Sequence, residues 1–238
     1  PPRSGVSEAM RFLRLAMLAF VSCRLAGFAT AADHPTLAIG SPAPDFRLPG
    51  VDGKEYTLAS FKDAKLLLIV FTSNHCPTAQ AYEERIKQLV TDYQEKGVAV
   101  VAINPNNADA VRLDEMSYTD LGDTLEEMKL RAEHRNFNFP YLDDGPEQKT
   151  AKAYGPAATP QVFIFDEDRR LRFEGRIDNA EDESLVKTRD ARNALDALLA
   201  GKEPPVTSTK VFGCSTKWKD KTDYNKVWAA RVQKEPVT

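Results

Sequence analysis

Two runs rich in apolar residues dominate the hydrophobic pattern of the chain. They cover residues 65–71 and 98–103, and each has the length of a buried strand. Between them, apolar side chains recur at spacings of three and four from Tyr82 to Tyr93, which is typical of an amphipathic helix. A strand, a helix and a strand in this order predict two parallel strands joined by a right-handed crossover.

Shorter patterns on both sides of this unit predict the remaining elements. Residues 46–48 and 56–58 flank an Asp-Gly pair, which is typical of a β-hairpin. Residues 161–165 and 171–177 predict a second hairpin joined by a charged turn. Further helices are predicted at 124–135, 148–154 and 188–200. Pro204-Pro205 then predicts the end of regular structure and the start of a tail.

The order of these elements predicts the fold class. A β-hairpin is followed by a β-α-β unit, a helix, and a β-β-α unit. This is the α/β, thioredoxin-like layout, in which a central mixed β-sheet is flanked by helices. We therefore predict a thioredoxin-like domain over residues 38–203, with the first hairpin as an N-terminal extension and residues 204–238 as a C-terminal tail.

Composition and charge narrow the classes of partner. The chain is 42% hydrophobic and 28% charged, as expected of a soluble globular protein, and its formal net charge is −3. Residues 1–31 hold four arginines and one glutamate, so the rest of the chain is more acidic than the whole. This balance argues against nucleic acid or another polyanion as partner.

The N-terminus has the pattern of a secretory signal peptide at residues 10–31. Arg11 and Arg14 give a basic start, residues 15–23 are uncharged, and 29–31 form a small-residue cleavage motif. The uncharged run is too short to cross a bilayer, which needs about 20 residues. We expect a periplasmic or secreted protein with no membrane span after signal removal. An amphipathic N-terminal helix is the alternative.

Cys76 carries the strongest chemical signal, because it lies where the first buried strand meets the helix. Unpaired N–H groups and the helix dipole favour a thiolate there, and the thiolate is the reactive form of cysteine. A small buried apolar residue is the alternative interpretation. Signal removal would leave Cys76 and Cys214 in an oxidising compartment, where a disulfide can form.

Several motifs in a fixed order resemble those of the redoxin superfamily. They lie at 39–46, 74–77 (Asn-His-Cys-Pro), 139–144, 159–160 (Thr-Pro), 175–178 and 213–218. The superfamily includes the alkyl hydroperoxide reductase and thiol-specific antioxidant proteins. This chain is most similar to its peroxiredoxin-like branch with an Asn-His-Cys-Pro motif, over about residues 38–218. The resemblance implies a thioredoxin-like fold and an antioxidant or thiol–disulfide oxidoreductase activity.

The resemblance also implies which residues form the site. A proline that is normally cis faces the active thiol in this fold, and Thr159-Pro160 stands at that place in the sequence. The backbone of Thr159 would then pair with an extended substrate peptide. An ordinary trans proline on an edge strand is the alternative. His75, if protonated, would favour the thiolate of Cys76, although its side chain can equally point away.

The chain departs from the family at positions close to the thiol. Cys76 corresponds to the first cysteine of a thioredoxin C-x-x-C motif, and Ala79 takes the place of the second. Ile69 and Ser73 stand where true peroxiredoxins carry the Pro and Thr of their peroxidatic motif. Ser73 and Ala158 also replace cysteines that are frequent in the family. These departures count against both vicinal disulfide exchange and standard peroxide reduction.

We predict an exported thiol–disulfide oxidoreductase in which Cys76 attacks a disulfide-containing protein and Cys214 resolves the mixed species. An external thiol reductant would restore the pair. A Cys76–Cys214 disulfide would serve equally well as a structural clamp on the tail. One alternative is a thiol peroxidase that reduces a hydroperoxide through a Cys76 sulfenic acid. Another is a binding module that has kept the fold without catalysis.

The sequence implies no cofactor for this chemistry. It contains neither a P-loop nor a dinucleotide-binding fingerprint. Copper binding is a weaker variant of the binding-module hypothesis, because His75 and Cys76 alone do not form an adequate ligand set.

Overall fold

The structure is a computed structural model that describes residues 34–116, 119 and 121–232. The signal peptide predicted at 10–31 lies outside these residues. No helix in the described part of the chain combines the length and the apolar character that a bilayer crossing requires.

The described residues form nine strands and five α-helices. The strands are β1 (Arg47–Pro49), β2 (Glu55–Thr57), β3 (Leu66–Phe71), β4 (Val98–Asn104), β5 (Tyr141–Asp143), β6 (Ala158–Thr159), β7 (Gln161–Phe165), β8 (Leu171–Gly175) and β9 (Cys214–Ser215). The α-helices are α1 (Pro77–Tyr93), α2 (Leu125–His134), α3 (Lys149–Tyr154), α4 (Asp190–Leu199) and α5 (Thr222–Val232).

A mixed sheet of five strands, in the order β5-β4-β3-β7-β8, forms the centre of the fold. Strand β4 runs parallel to β3 on one side, and β7 runs antiparallel to it on the other. The predicted β-α-β unit, the 161–175 hairpin and the mixed sheet are therefore confirmed. The antiparallel pair β1–β2 likewise confirms the N-terminal hairpin.

Helices and loops cover both faces of the sheet, which explains why β3 is apolar at every position. Successive side chains of a strand point to opposite faces. Leu66, Leu68 and Val70 pack with residues of α1, α2 and α4, whereas Leu67 and Ile69 pack on the other face with aromatic residues of β7 and α3. Both faces of β3 are thus buried.

The helices of this unit begin at residues suited to their positions. Pro77 takes the first position of α1, where its missing N–H is no loss, and Cys76 is the N-cap. Thr124 caps α2 and forms a capping box with Glu127. Because both helix starts lie at the same edge of the sheet, the residues just before them come close together.

Two features differ from the prediction. Strand β5 pairs in parallel with β4 and was not predicted, because three residues are too few to show a period. The prediction that regular structure ends at Pro204-Pro205 is wrong, since β9 and α5 lie in the tail. Strand β9 has only two residues and forms through pairing with β6, a contact between distant parts of the chain.

Burial on β3 predicts a large stability difference between two otherwise identical substitutions. Leu68 is 0% exposed and Leu130 on α2 is 55% exposed. Leu68→Ala should lower the free energy of unfolding by about 2–5 kcal/mol, because it leaves a cavity in the core. Leu130→Ala should change it by about 0.5 kcal/mol or less. Denaturant unfolding measures both, and equal losses would contradict the described core.

Candidate active site

Cys76 lies, as predicted, between the end of β3 and the first turn of α1. Its sulfur accepts a hydrogen bond from the backbone N–H of Ala79 at 3.4 Å, as an N-cap side chain does. The residue is 0% exposed to solvent. The thiol therefore lies beneath other segments of the protein and is not open at the surface.

The Thr159-Pro160 peptide bond is cis, as the sequence predicted. Thr159 faces the thiol: its carbonyl oxygen lies 3.3 Å from the sulfur of Cys76 and accepts a hydrogen bond from the protonated thiol. The hydroxyl of Thr159 also pairs with that of Ser73 at 2.9 Å. Ser73, at a position where the family often has cysteine, thus connects the end of β3 to the cis-proline segment.

The tail of the chain occupies the strand edge at which a substrate peptide was expected. Strand β9 pairs antiparallel with β6, and Cys214 lies directly opposite Thr159. The approach is close at Gly213, which has a φ of 131° and where an added Cβ would lie 2.1 Å from the carbonyl oxygen of Thr159. Glycine is needed there for both reasons. Access for a substrate peptide would therefore require this part of the tail to move.

Lys217 holds the tail in place three residues after Cys214. Its backbone N–H donates to the side chain of Asn106 at 2.8 Å, and its carbonyl accepts from Asn107 and Gln148, each at 2.9 Å. Its ammonium group pairs with Glu115 at 2.6 Å. A buried lysine with all these contacts fixes the tail segment on the domain.

The two thiols lie near each other, because Cys214 pairs with Thr159, whose carbonyl oxygen is 3.3 Å from the sulfur of Cys76. Their interaction decides where the negative charge lies. Both cysteines are free. A hydrogen bond from the Cys214 thiol is the largest cause that lowers the pKa of Cys76 to about 6; burial opposes it, and the backbone N–H groups of Ala79 and Cys214 add to it. The same interaction raises the pKa of Cys214. The pair therefore holds a thiolate at Cys76 and a proton at Cys214.

The side chain of His75 is buried and forms a hydrogen bond with Asp123. Its Nδ1 lies 2.6 Å from a carboxylate oxygen of Asp123, and its Nε2 has no hydrogen-bond partner among the described residues. Burial alone would raise the pKa of Asp123, but the hydrogen bond and the charge of His75 outweigh it and lower that pKa. Asp123 is thus a buried carboxylate beside the cysteine segment.

Sequence reasoning did not find the role of Asp123. Thr124 caps α2, and Asp123, the residue before it, accepts from the backbone N–H of Asn74 at 2.8 Å. The partners lie 49 residues apart in the chain, so no local pattern could reveal their contact. Within the described residues, no group of three His, Cys, Asp or Glu side chains is placed to hold a metal ion.

Comparisons with known proteins identify the family and the fold of the chain. The AhpC/TSA family model matches residues 39–174. The crystal structure of a hypothetical protein from Sinorhizobium meliloti is 39% identical with a TM-score of 0.68, and the match covers 78% of this chain and 97% of that one. The crystal structure of an uncharacterized conserved protein from Geobacillus kaustophilus is 36% identical, also with a TM-score of 0.68, and covers 78% and 95%.

A curated relative carries a functional name. The thiol-disulfide oxidoreductase ResA of Geobacillus thermodenitrificans is 25% identical over 140 residues, which are 59% of this chain and 70% of ResA. Together with the family match, which includes Cys76, Thr159 and Pro160, this confirms the predicted class, a redoxin-type oxidoreductase with a thioredoxin-like fold. The chain belongs to the AhpC/TSA family. Cys214 lies beyond the matched residues.

The interaction between the thiols predicts the effect of removing one of them. Cys214→Ala should raise the pKa of Cys76 from about 6 towards the value of an ordinary thiol, about 8.5, because the largest stabilising hydrogen bond is lost. The fraction of thiolate at neutral pH would then fall. Ultraviolet absorbance of the thiolate during a pH titration measures this. Cys214→Ser keeps a hydrogen-bond donor, so the pKa of Cys76 should rise less in this variant. An unchanged titration midpoint in Cys214→Ala would contradict the interaction of the two thiols.

The close approach at Gly213 predicts that an added methyl group loosens the tail. Gly213→Ala should speed amide hydrogen exchange over residues 214–215, because the new Cβ would clash with Thr159. Gly201→Ala is the matched control, since Gly201 also has a positive φ but has open space around it. Equal exchange in the two variants would show that the β6–β9 pairing tolerates the methyl group.

Proposed function

We propose that the chain is an exported thiol–disulfide oxidoreductase in which Cys76 is the nucleophile and Cys214 the resolving cysteine. The observation that carries this proposal is the strand pairing that places Cys214 opposite Thr159, whose carbonyl oxygen lies 3.3 Å from the sulfur of Cys76. This pairing gives one thiol the charge of a nucleophile at neutral pH and keeps the other protonated nearby. The ResA relative and the family match support the same chemistry.

The first step requires β9 to move off Thr159 and uncover Cys76, while Lys217 keeps the tail attached to the domain. An extended segment of the partner then pairs with the freed edge of Thr159, which Pro160 keeps in position. The thiolate of Cys76 attacks one sulfur of the partner's disulfide. A mixed disulfide forms, the partner's disulfide breaks, and its second sulfur leaves as a thiolate.

The second step returns β9 to Thr159. Cys214 gives its proton to the leaving thiolate of the partner and attacks the sulfur of Cys76. The Cys76–Cys214 disulfide forms, and the partner departs with both of its sulfurs reduced. An external thiol reductant then supplies two electrons and one proton and restores the Cys76 thiolate and the Cys214 thiol. His75 takes part as a positioning residue, because its hydrogen bond with Asp123 fixes the segment just before Cys76.

Export follows from the N-terminal sequence. The basic start, the uncharged run and the small-residue motif of residues 10–31 support delivery to the periplasm or the outside of the cell. These compartments are oxidising, so a Cys76–Cys214 disulfide could form there.

A thiol peroxidase is the second candidate, and the AhpC/TSA family match favours it. The thiolate of Cys76 would take one oxygen from a hydroperoxide and release the alcohol, which leaves a sulfenic acid. Cys214 would then attack this sulfur to give the same disulfide and one water molecule. The proximity of the two thiols suits this resolving step equally well, so substrate assays separate the two candidates.

Single cysteine variants should give opposite results in a trapping experiment. Cys214→Ser should accumulate a mixed disulfide on Cys76 when offered a disulfide-containing protein, because the resolving thiol is missing. Cys76→Ser should trap little and lose turnover. Mass mapping under non-reducing conditions locates the linked cysteine, and turnover that survives in Cys76→Ser would refute the proposal.

The same proteins distinguish the rival functions. Hydroperoxide consumption that depends on Cys76, together with little disulfide reduction, would select the peroxidase. If Cys76 stays unreactive towards disulfides, hydroperoxides and alkylating reagents at neutral pH, the chain acts as a binding module.

A further inference from the structure

A path of hydrogen bonds joins the two segments that carry the cysteines. The carboxylate of Asp123 accepts from the backbone N–H of Asn74 at 2.8 Å and from the side-chain amide of Asn106 at 2.8 Å. The side-chain oxygen of Asn106 in turn accepts from the backbone N–H of Lys217 at 2.8 Å. Asn74 stands two residues before Cys76, and Lys217 stands three residues after Cys214. We call these four residues the Asp123–Asn106 bridge.

Every member of the bridge is buried. Asn74, Asn106, Asp123 and Lys217 are each less than one tenth exposed. Hydrogen bonds in such surroundings hold their partners firmly, because a buried donor or acceptor that loses its partner is not compensated by water. The segments at the two ends of the bridge are therefore fixed relative to each other.

The middle of the bridge is attached to the rigid part of the domain. Asn106 follows β4, and its backbone N–H donates to the side chain of Asn104 at 3.1 Å. Asp123 directly precedes the capped start of α2. The two central side chains thus extend from the same sheet edge, one towards Cys76 and the other towards the tail.

The tail needs such a connection because Cys214 lies far from Cys76 in the sequence. A thiol on an unattached tail would meet Cys76 only as often as its linker allows. A thiol held in the right place acts as if it were present at high concentration. Only Asn106 in the bridge contacts both the tail and the carboxylate that holds the Cys76 segment.

We propose that Asp123 and Asn106 are positioning residues of the thiol pair, which hold the Cys214 segment against the Cys76 segment and so set the effective concentration of one thiol towards the other. This inference rests on the proposed function. The inference extends the proposed function from the two cysteines to two residues outside the Asn-His-Cys-Pro and Thr-Pro motifs. A purely structural role would stabilise the fold without changing the exchange between the thiols.

Equilibration with glutathione tests the proposal in the full chain. Oxidised glutathione converts the two thiols into their disulfide and leaves as two molecules of reduced glutathione, so the equilibrium gives the effective concentration directly. Asn106→Ala should lower it about tenfold, because one buried connection is lost while Asn107 and Gln148 still hold Lys217. Alkylation followed by mass mapping quantifies each state.

Two further variants make the result specific. Asn138→Ala is the matched control, since this asparagine is exposed and its amide bonds only to residues of α1; its effective concentration should equal that of the wild type. Asp123→Asn keeps the shape but cannot accept all three donors, and it should show a loss like that of Asn106→Ala. If Asn106→Ala fails to fold, the effective concentration measured in Asp123→Asn tests the proposal in the same way.

The outcomes separate this proposal from the proposed function. An unchanged effective concentration in folded Asn106→Ala or Asp123→Asn would overturn the positioning role. If the wild type forms no Cys76–Cys214 disulfide in any glutathione mixture, the proposed function fails instead. Thiolate titration then still tests the bridge: the pKa of Cys76 should rise in Asn106→Ala, and an unchanged value would overturn the positioning role there too.

Discussion

The site depends on the pairing of β9 with β6, which places Cys214 opposite Thr159 and so brings it near the sulfur of Cys76. A charged sulfur beneath the protein surface loses its hydration, which is costly unless donors replace the water. The start of α1 supplies one donor through Ala79, and the tail supplies the thiol and the backbone N–H of Cys214. The charge at Cys76 is therefore a property of the closed arrangement and not of the helix terminus alone.

The parallel pair of β3 and β4 and the position of Cys76 could be predicted from local patterns, because the apolar runs and the helix between them are long. Strands β5 and β9 could not, since two or three residues carry no period and pair only through tertiary contacts. The sequence identified Cys76 and Cys214 as a pair, but it assigned the ionisation of Cys76 to the helix dipole and to His75. The structure assigns the largest share to Cys214.

The role of Asp123 is a second feature that could not be predicted from the sequence. Aspartate is a common N-cap residue, and so is the threonine that follows Asp123 in the sequence. Only the folded chain shows that Thr124 makes the cap, which leaves Asp123 to pair with His75 and Asn106. Polar residues that contact distant segments follow no spacing rule, so the sequence reveals Cys76 more readily than the residues that hold its segment.

The position of Cys214 affects how the working unit should be delimited. A C-x-x-C motif places two cysteines within one helical turn, but here the two cysteines lie far apart in the sequence. Cys76 lies at the start of the helical turn, where Ala79 contributes only its backbone, and Cys214 lies in a strand near the other end of the chain. Residues 39–174, which the family model covers, include Cys76 but not Cys214. A protein shortened to those limits would keep the recognisable motif yet lack the second thiol, and surveys that count neighbouring cysteines would overlook chains built in this way.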